Sequence, residues 1–102
     1  MDKQKLFVIG SLSRMKDIEY AAQKYKKQGY TVKHVKSMPD VPFETILDKT
    51  INEIHDSDVI AAVKKPSGNV GTGTSYEVAI AKFFKKEILY YDPDENKGGD
   101  KS

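Results

Sequence analysis

The stretch Asp58–Tyr91, "DVIAAVKKPSGNVGTGTSYEVAIAKFFKKEILYY", decides how the chain folds. It opens on "DVIAAV", a short apolar run with the composition of a strand buried on both faces. A glycine-rich loop runs from Lys64 to Gly73, and the spacing then predicts a helix from Thr74 to Lys85. The run "EILYY" reads as a further strand. Strand, helix, strand in this order is a crossover unit, and its right-handed form makes the two strands parallel.

The segments before it repeat the same alternation. "KLFVIG" closes a first apolar run on Gly10, and Met15 to Gln28 carries Ile18, Ala21, Ala22 and Tyr25 at helical spacing. Lysines crowd the last turn of that helix, and Gly29 is placed to cap it. "YTVKHVK" reads as a second strand. "PDVPFETILDKTINEIHDS" sets Phe43, Ile46, Leu47, Thr50, Ile51 and Ile54 on one helical face, which reads as core packing. Three strand-helix pairs and a last strand predict an α/β domain over residues 1–92, with helices on both faces of a short, mainly parallel sheet of about four strands. Residues 93–102 have nothing to bury and read as a polar, mobile tail.

Composition narrows the classes of function. A chain of 102 residues with 38% hydrophobic and 31% charged residues is one ordinary globular domain. No apolar run reaches the roughly 18 residues of a membrane span, and the N-terminus lacks a signal-peptide core. The absence of cysteine excludes disulfides and thiolate metal sites, which fits a cytoplasmic protein. A formal charge of +2, with lysines spread over several helices, gives no basis for nucleic-acid binding. His34 and His55 are too far apart to suggest a metal pair and read as surface residues, neither at a strand's carboxyl end. No metal and no cofactor is expected.

In a parallel sheet, ligands sit at the carboxyl ends of strands. Two loops fall there. "GSLSR" supplies Gly10, Ser11, Ser13 and Arg14 where the first helix begins, the composition of an anion site with a bidentate fork. Arg14 is the only arginine in the chain. The same residues also serve as a plain turn in which Ser11 or Ser13 caps the helix. The second loop holds Ser67, Gly68, Gly71 and Gly73 ahead of Thr74 and Glu77. Thr74 and Glu77 have capping-box spacing, with Thr74 as N-cap. Alternatively, the helix N-terminus favours an ionised Glu77, available as a nucleophile or as partner to a developing cation. Glycines would clear room for a substrate, which a cap does not need.

The segment Ser57–Pro93 resembles the nucleoside 2-deoxyribosyltransferase family and its relatives, the 2'-deoxynucleoside 5'-monophosphate N-glycosidases. The family's G-T-x-x-E followed by small residues is matched by Gly73, Thr74, Glu77, Ala79 and Ala81. The glycosidase branch's Pro-Ser, glycine and Tyr-Glu pattern is matched by Pro66, Ser67, Gly71, Tyr76 and Glu77, and its first loop by Gly10, Ser11 and Arg14. The resemblance covers about Lys5 to Pro93. It implies a three-layer Rossmann/flavodoxin-like sandwich and a nucleoside or nucleotide substrate. Glu77 would attack the anomeric carbon of a deoxyribose and pass the sugar to another base or to water. Ser11, Arg14 and Ser67 would hold a 5'-phosphate or the sugar hydroxyls.

Two departures accompany the resemblance. Thr50 stands where the family places an aspartate on the second helix, and Asp48 and Glu53 appear to either side of it, on another part of that helix. The family's segment beyond the fourth strand, which helps complete the base pocket, is replaced by the polar tail. A non-catalytic protein that binds or sequesters nucleotides on the same fold is therefore the rival expectation. Short strands with exposed edges, together with the family resemblance, lead us to expect a homo-oligomer, a dimer or higher.

Overall fold

The two most apolar runs of the chain alternate their side chains between two separate cores, and this places helices on both sides of the sheet. In the computed structural model, which describes residues 3–37, 40–65 and 68–93, the strands are β1 (Lys5–Ile9), β2 (Thr31–His34), β3 (Val59–Val63) and β4 (Glu87–Tyr91). The helices are α1 (Met15–Lys27), α2 (Phe43–Asp56) and α3 (Thr72–Phe83), with a 3-10 turn at Leu12–Arg14. The sheet runs in the order β2-β1-β3-β4, and every pairing is parallel. The expected three-layer α/β sandwich with four parallel strands is the observed fold.

Leu6 and Val8 of β1 and Val59, Ala61 and Val63 of β3 pack with Ile18, Ala21 and Tyr25 of α1. The alternate residues Phe7, Ile9, Ile60 and Ala62 pack on the opposite face with Ile54 of α2 and Val78 and Ala81 of α3. Asp58 ties the two central strands at their amino ends. Its carboxylate accepts from the Lys5 N–H at 2.8 Å, and its own N–H donates to the Lys5 carbonyl at 2.8 Å.

The first helix ends as its sequence predicts. Gly29 has φ +105°, the Tyr30 N–H donates to the Tyr25 carbonyl, and the Gly29 N–H to that of Lys26. These are the two bonds of a Schellman cap, and the Tyr25 and Tyr30 rings meet edge-on at 6.1 Å across it.

The third helix departs from expectation at its start. It begins at Thr72 with Gly71 as N-cap, and no side chain caps it. Thr74 is therefore the third helical residue rather than the cap, and it is only 4% exposed. Its side chain fills the core, which ends the capping-box reading. The second helix departs at its first half. Thr50 and Ile54 are buried, but Phe43 is 72% exposed and Leu47 is exposed too. Only the later turns of α2 lie on the sheet, and its earlier turns stand clear. No helix among the described residues is long and apolar enough to cross a membrane. The tail expected over 93–102 lies outside the described residues beyond Pro93.

Gly10 is the closest backbone approach in this frame. A Cβ built there would lie 3.1 Å from Ile18 Cγ1 and 3.1 Å from Val63 Cβ. Both neighbours belong to the packed core, so neither yields freely. We expect Gly10→Ala to cost about 1–3 kcal/mol by overpacking, read as a lower urea midpoint with an unchanged slope.

Candidate active site

The incomplete cover given by α2 leaves a cavity of about 490 Å³, within the range of small-molecule sites. Its floor is Phe7 and the end of β1 at Gly10. One wall is β2 from Val32 onward, the other is α2 through Ile46, Lys49, Thr50 and Glu53, and Glu77 of α3 and Leu12 also line it. The cavity reaches the carboxyl end of β1. The strand order reverses at β1, since β2 lies to one side of it and β3 to the other.

Glu77 is the sixth residue of α3. The helix dipole acts mainly on the first turn, and no acidic residue occupies that turn. Burial prevails instead and pushes the Glu77 carboxyl up to about 7. The sequence-based expectation of a carboxylate held ionised by the helix terminus is thus reversed in sign. Among the described residues, no side chain forms a hydrogen bond or ion pair with it. It is a carboxyl group facing a hollow, half charged near neutral pH.

The remaining predicted residues are spread more widely. Gly10 lines the cavity, whereas Ser11, Ser13, Arg14, Gly71, Gly73 and Thr74 do not. Ser11 and Ser13 bring their hydroxyls within 2.8 Å of each other. The Arg14 fork is engaged by Asp17, Nη2 to Oδ2 at 2.6 Å, while its buried Nε has no hydrogen-bond partner among the described residues. Gly68 takes φ +91°, a conformation that favours glycine, and a Cβ at Gly73 would meet nothing within 4 Å. Ser67 lies outside the described residues.

Three cavity features were missed in the sequence. His34 is the last residue of β2, so it does lie at a strand's carboxyl end and is half-buried rather than on the surface. Its Nδ1 is 2.8 Å from the Val35 carbonyl. Glu53, three residues after Thr50, lines the same cavity as Glu77 and pairs with Lys33 at 3.5 Å. The i,i+3 spacing puts it on the same helix face as Thr50, not on another part of the helix as expected from sequence. Lys33, Lys36 and Lys49 border the cavity together, although they are dispersed in sequence. His55 is exposed as expected, edge-on to Phe84 at 5.2 Å. No cluster of metal-ligating side chains occurs among the described residues.

Burial of Glu77 has a consequence for stability. Its folded-state value lies above the ordinary 4.5, so the folded protein binds a proton that the unfolded chain releases. The contribution is fully present below about 4.5 and is lost as pH rises through about 7. Urea midpoints should fall between these values, and Glu77→Gln should flatten that decline while raising stability at pH 8.

No family model and no curated protein sequence matches the chain. The solved structures that share its fold include a transferase and a glycosidase. One is described as a "2-desoxiribosyltransferase from Leishmania mexicana", at TM-score 0.63 and 19% identity over 87% of this chain. The other is the Clostridium botulinum CMP N-glycosidase BcmB, at TM-score 0.63 and 18% identity over 87% of this chain. The chain spans 64% of the Leishmania protein and 71% of the Clostridium protein. The likeness is one of fold: the chain shares the architecture of a deoxyribosyltransferase and of a nucleotide N-glycosidase.

Proposed function

We propose that the protein cleaves or transfers at the N-glycosidic bond of a 2'-deoxynucleoside or its 5'-monophosphate, with Glu77 as nucleophile. The observation that carries this reading is the position of Glu77: a half-buried carboxyl with no side-chain partner among the described residues, facing a cavity of about 490 Å³ at a strand's carboxyl end. A carboxylate that pays a desolvation cost for its charge gains from a neighbouring cation, and an oxocarbenium-like sugar is one. In the first step a Glu77 oxygen bonds to the anomeric carbon. The carbon–nitrogen bond breaks, its electron pair leaves with the base, and the base takes a proton from solvent. The two structural neighbours act, by their names, on deoxyribosyl groups and on CMP. The CMP N-glycosidase neighbour makes a ribonucleotide a substrate to include in the test.

Three lysines at the cavity border suit a phosphate-bearing substrate. We assign the first loop the same role through Ser11 and Ser13, which flank the cavity-lining Leu12. A nucleotide-binding protein without turnover is the second reading. Thr50 favours it, because a buried threonine occupies the α2 wall where a proton donor would serve the leaving base.

Incubation with the four 2'-deoxynucleoside 5'-monophosphates, with CMP and with the unphosphorylated nucleosides distinguishes these readings by chromatography of released base. Release should be greatest for a monophosphate and should fall at least about 100-fold in Glu77→Gln, the scale of losing a positioned nucleophile. It should rise with pH through about 7, as Glu77 ionises. Tight binding without release, unchanged in Glu77→Gln, would establish the sequestering protein instead.

The same reading includes self-association. Tyr76 and Phe83 stand exposed on α3, and Phe43 and Leu47 on α2, a supply of apolar surface suited to a second copy of the chain. Light scattering should give a dimer or higher, and Phe83→Lys should shift the mass towards the monomer.

A further inference from the structure

We propose that Glu53 is the general base of the second half-reaction, taking the proton from the water that removes the sugar from Glu77. This rests on the reading of Glu77 as nucleophile. Once a Glu77 oxygen is bonded to the anomeric carbon, it has no free carboxylate with which to activate an incoming molecule. Another group must do so, and it has to line the same cavity, accept a proton and be reachable by water.

Few residues meet these conditions. The lysines at the cavity border carry ammonium groups, which have no acceptor site. Thr50 is 8% exposed and offers a hydroxyl rather than a titratable acceptor. His34 pairs across the sheet with Val8, and Val8 packs against α1. His34 borders the cavity at the end of β2, but strand alternation sets its side chain on the α1 face of the sheet. Its Nδ1 is also engaged at the Val35 carbonyl. Glu53 satisfies each condition. It lines the cavity with Glu77, and its side chain is 37% exposed, so water reaches it. Lys33 of β2 contacts its Oε1 at 3.5 Å, which orients the carboxylate from the opposite wall and leaves Oε2 to act. By the same alternation, Lys33 pairs with Phe7 and lies on the α2 side of the sheet, consistent with that contact.

The step balances without any further reactant. The water oxygen bonds to the anomeric carbon as the bond from that carbon to the Glu77 oxygen breaks, and the electron pair returns to Glu77. The water proton passes to Glu53 and leaves to solvent through its exposed side. Two half-buried carboxyl groups thus divide the work by their partners, Glu77 with none among the described residues and Glu53 paired with Lys33.

The test uses the full chain and whichever monophosphate, of the four deoxynucleotides and CMP, the unaltered protein cleaves. Glu53→Gln should release about one equivalent of base per chain in a rapid burst and then turn over at least about 100-fold more slowly, the scale of a lost general base. Intact-mass measurement should find the sugar attached, and peptide mapping should place it on Glu77. Sodium azide, a nucleophile that needs no deprotonation, should restore turnover in Glu53→Ala and yield a glycosyl azide; this also demonstrates that the variant is folded. Unchanged turnover in Glu53→Gln would overturn the assignment while leaving the role of Glu77 standing. So would loss of the burst together with turnover in a variant that still binds the monophosphate. No base release by the unaltered protein would defeat the glycosidic reading itself and the Glu53 assignment with it.

Discussion

The two central strands, β1 and β3, are buried on both faces along almost their whole length, and every other feature accommodates that burial. A sheet apolar on both sides has to be covered on both sides. Crossovers of one hand then put α1 on one face and α2 and α3 on the other. Gly10 is part of the same constraint. β1 ends so close to Ile18 and Val63 that no side chain fits without displacement, and this sets how the first loop leaves the sheet.

Cover on the second face is unequal, and the cavity follows from that inequality. Val78 and Ala81 seat α3 against the sheet, and Ile54 seats the last turns of α2. The earlier turns of α2 carry Phe43 outward, so a hollow opens between α2 and the short strand β2. Glu77 leans into it from α3. Because α3 starts at Thr72, the carboxyl lies beyond the first turn of the helix and is partly desolvated where it faces the cavity. Its charge is discouraged by burial rather than encouraged by backbone dipoles.

The chemistry proposed for this hollow depends on contrast between environments. Glu77 has no side-chain partner among the described residues and a carboxyl raised to about 7, while Glu53 is reached by solvent and held by Lys33. The lysines at the border supply an attractive field for an anionic substrate without occupying the floor. The fold shared with a deoxyribosyltransferase and an N-glycosidase is a scaffold on which many chemistries are possible. The residues that line the cavity, not the fold, are what favour this one.

Much of this was legible in the order of residues, because apolar periodicity is a local property. The strands, the Schellman end of α1 and the prominence of Glu77 each depend on neighbours within a few positions. The start of α3 was misplaced because Thr74 satisfies two local rules at once, as a cap and as a core residue, and only packing chooses between them. Phe43 was assigned to the core for a similar reason: periodicity defines a face of α2 but not how much of that face meets the sheet. Local patterning was enough for the parallel sandwich and for singling out Glu77. Tertiary structure alone decided the sign of the Glu77 shift, the pairing of Lys33 with Glu53 across the hollow and the gathering of distant lysines at its edge. Electrostatic environment and cavity walls are sums over residues far apart in the chain, and no short pattern records them.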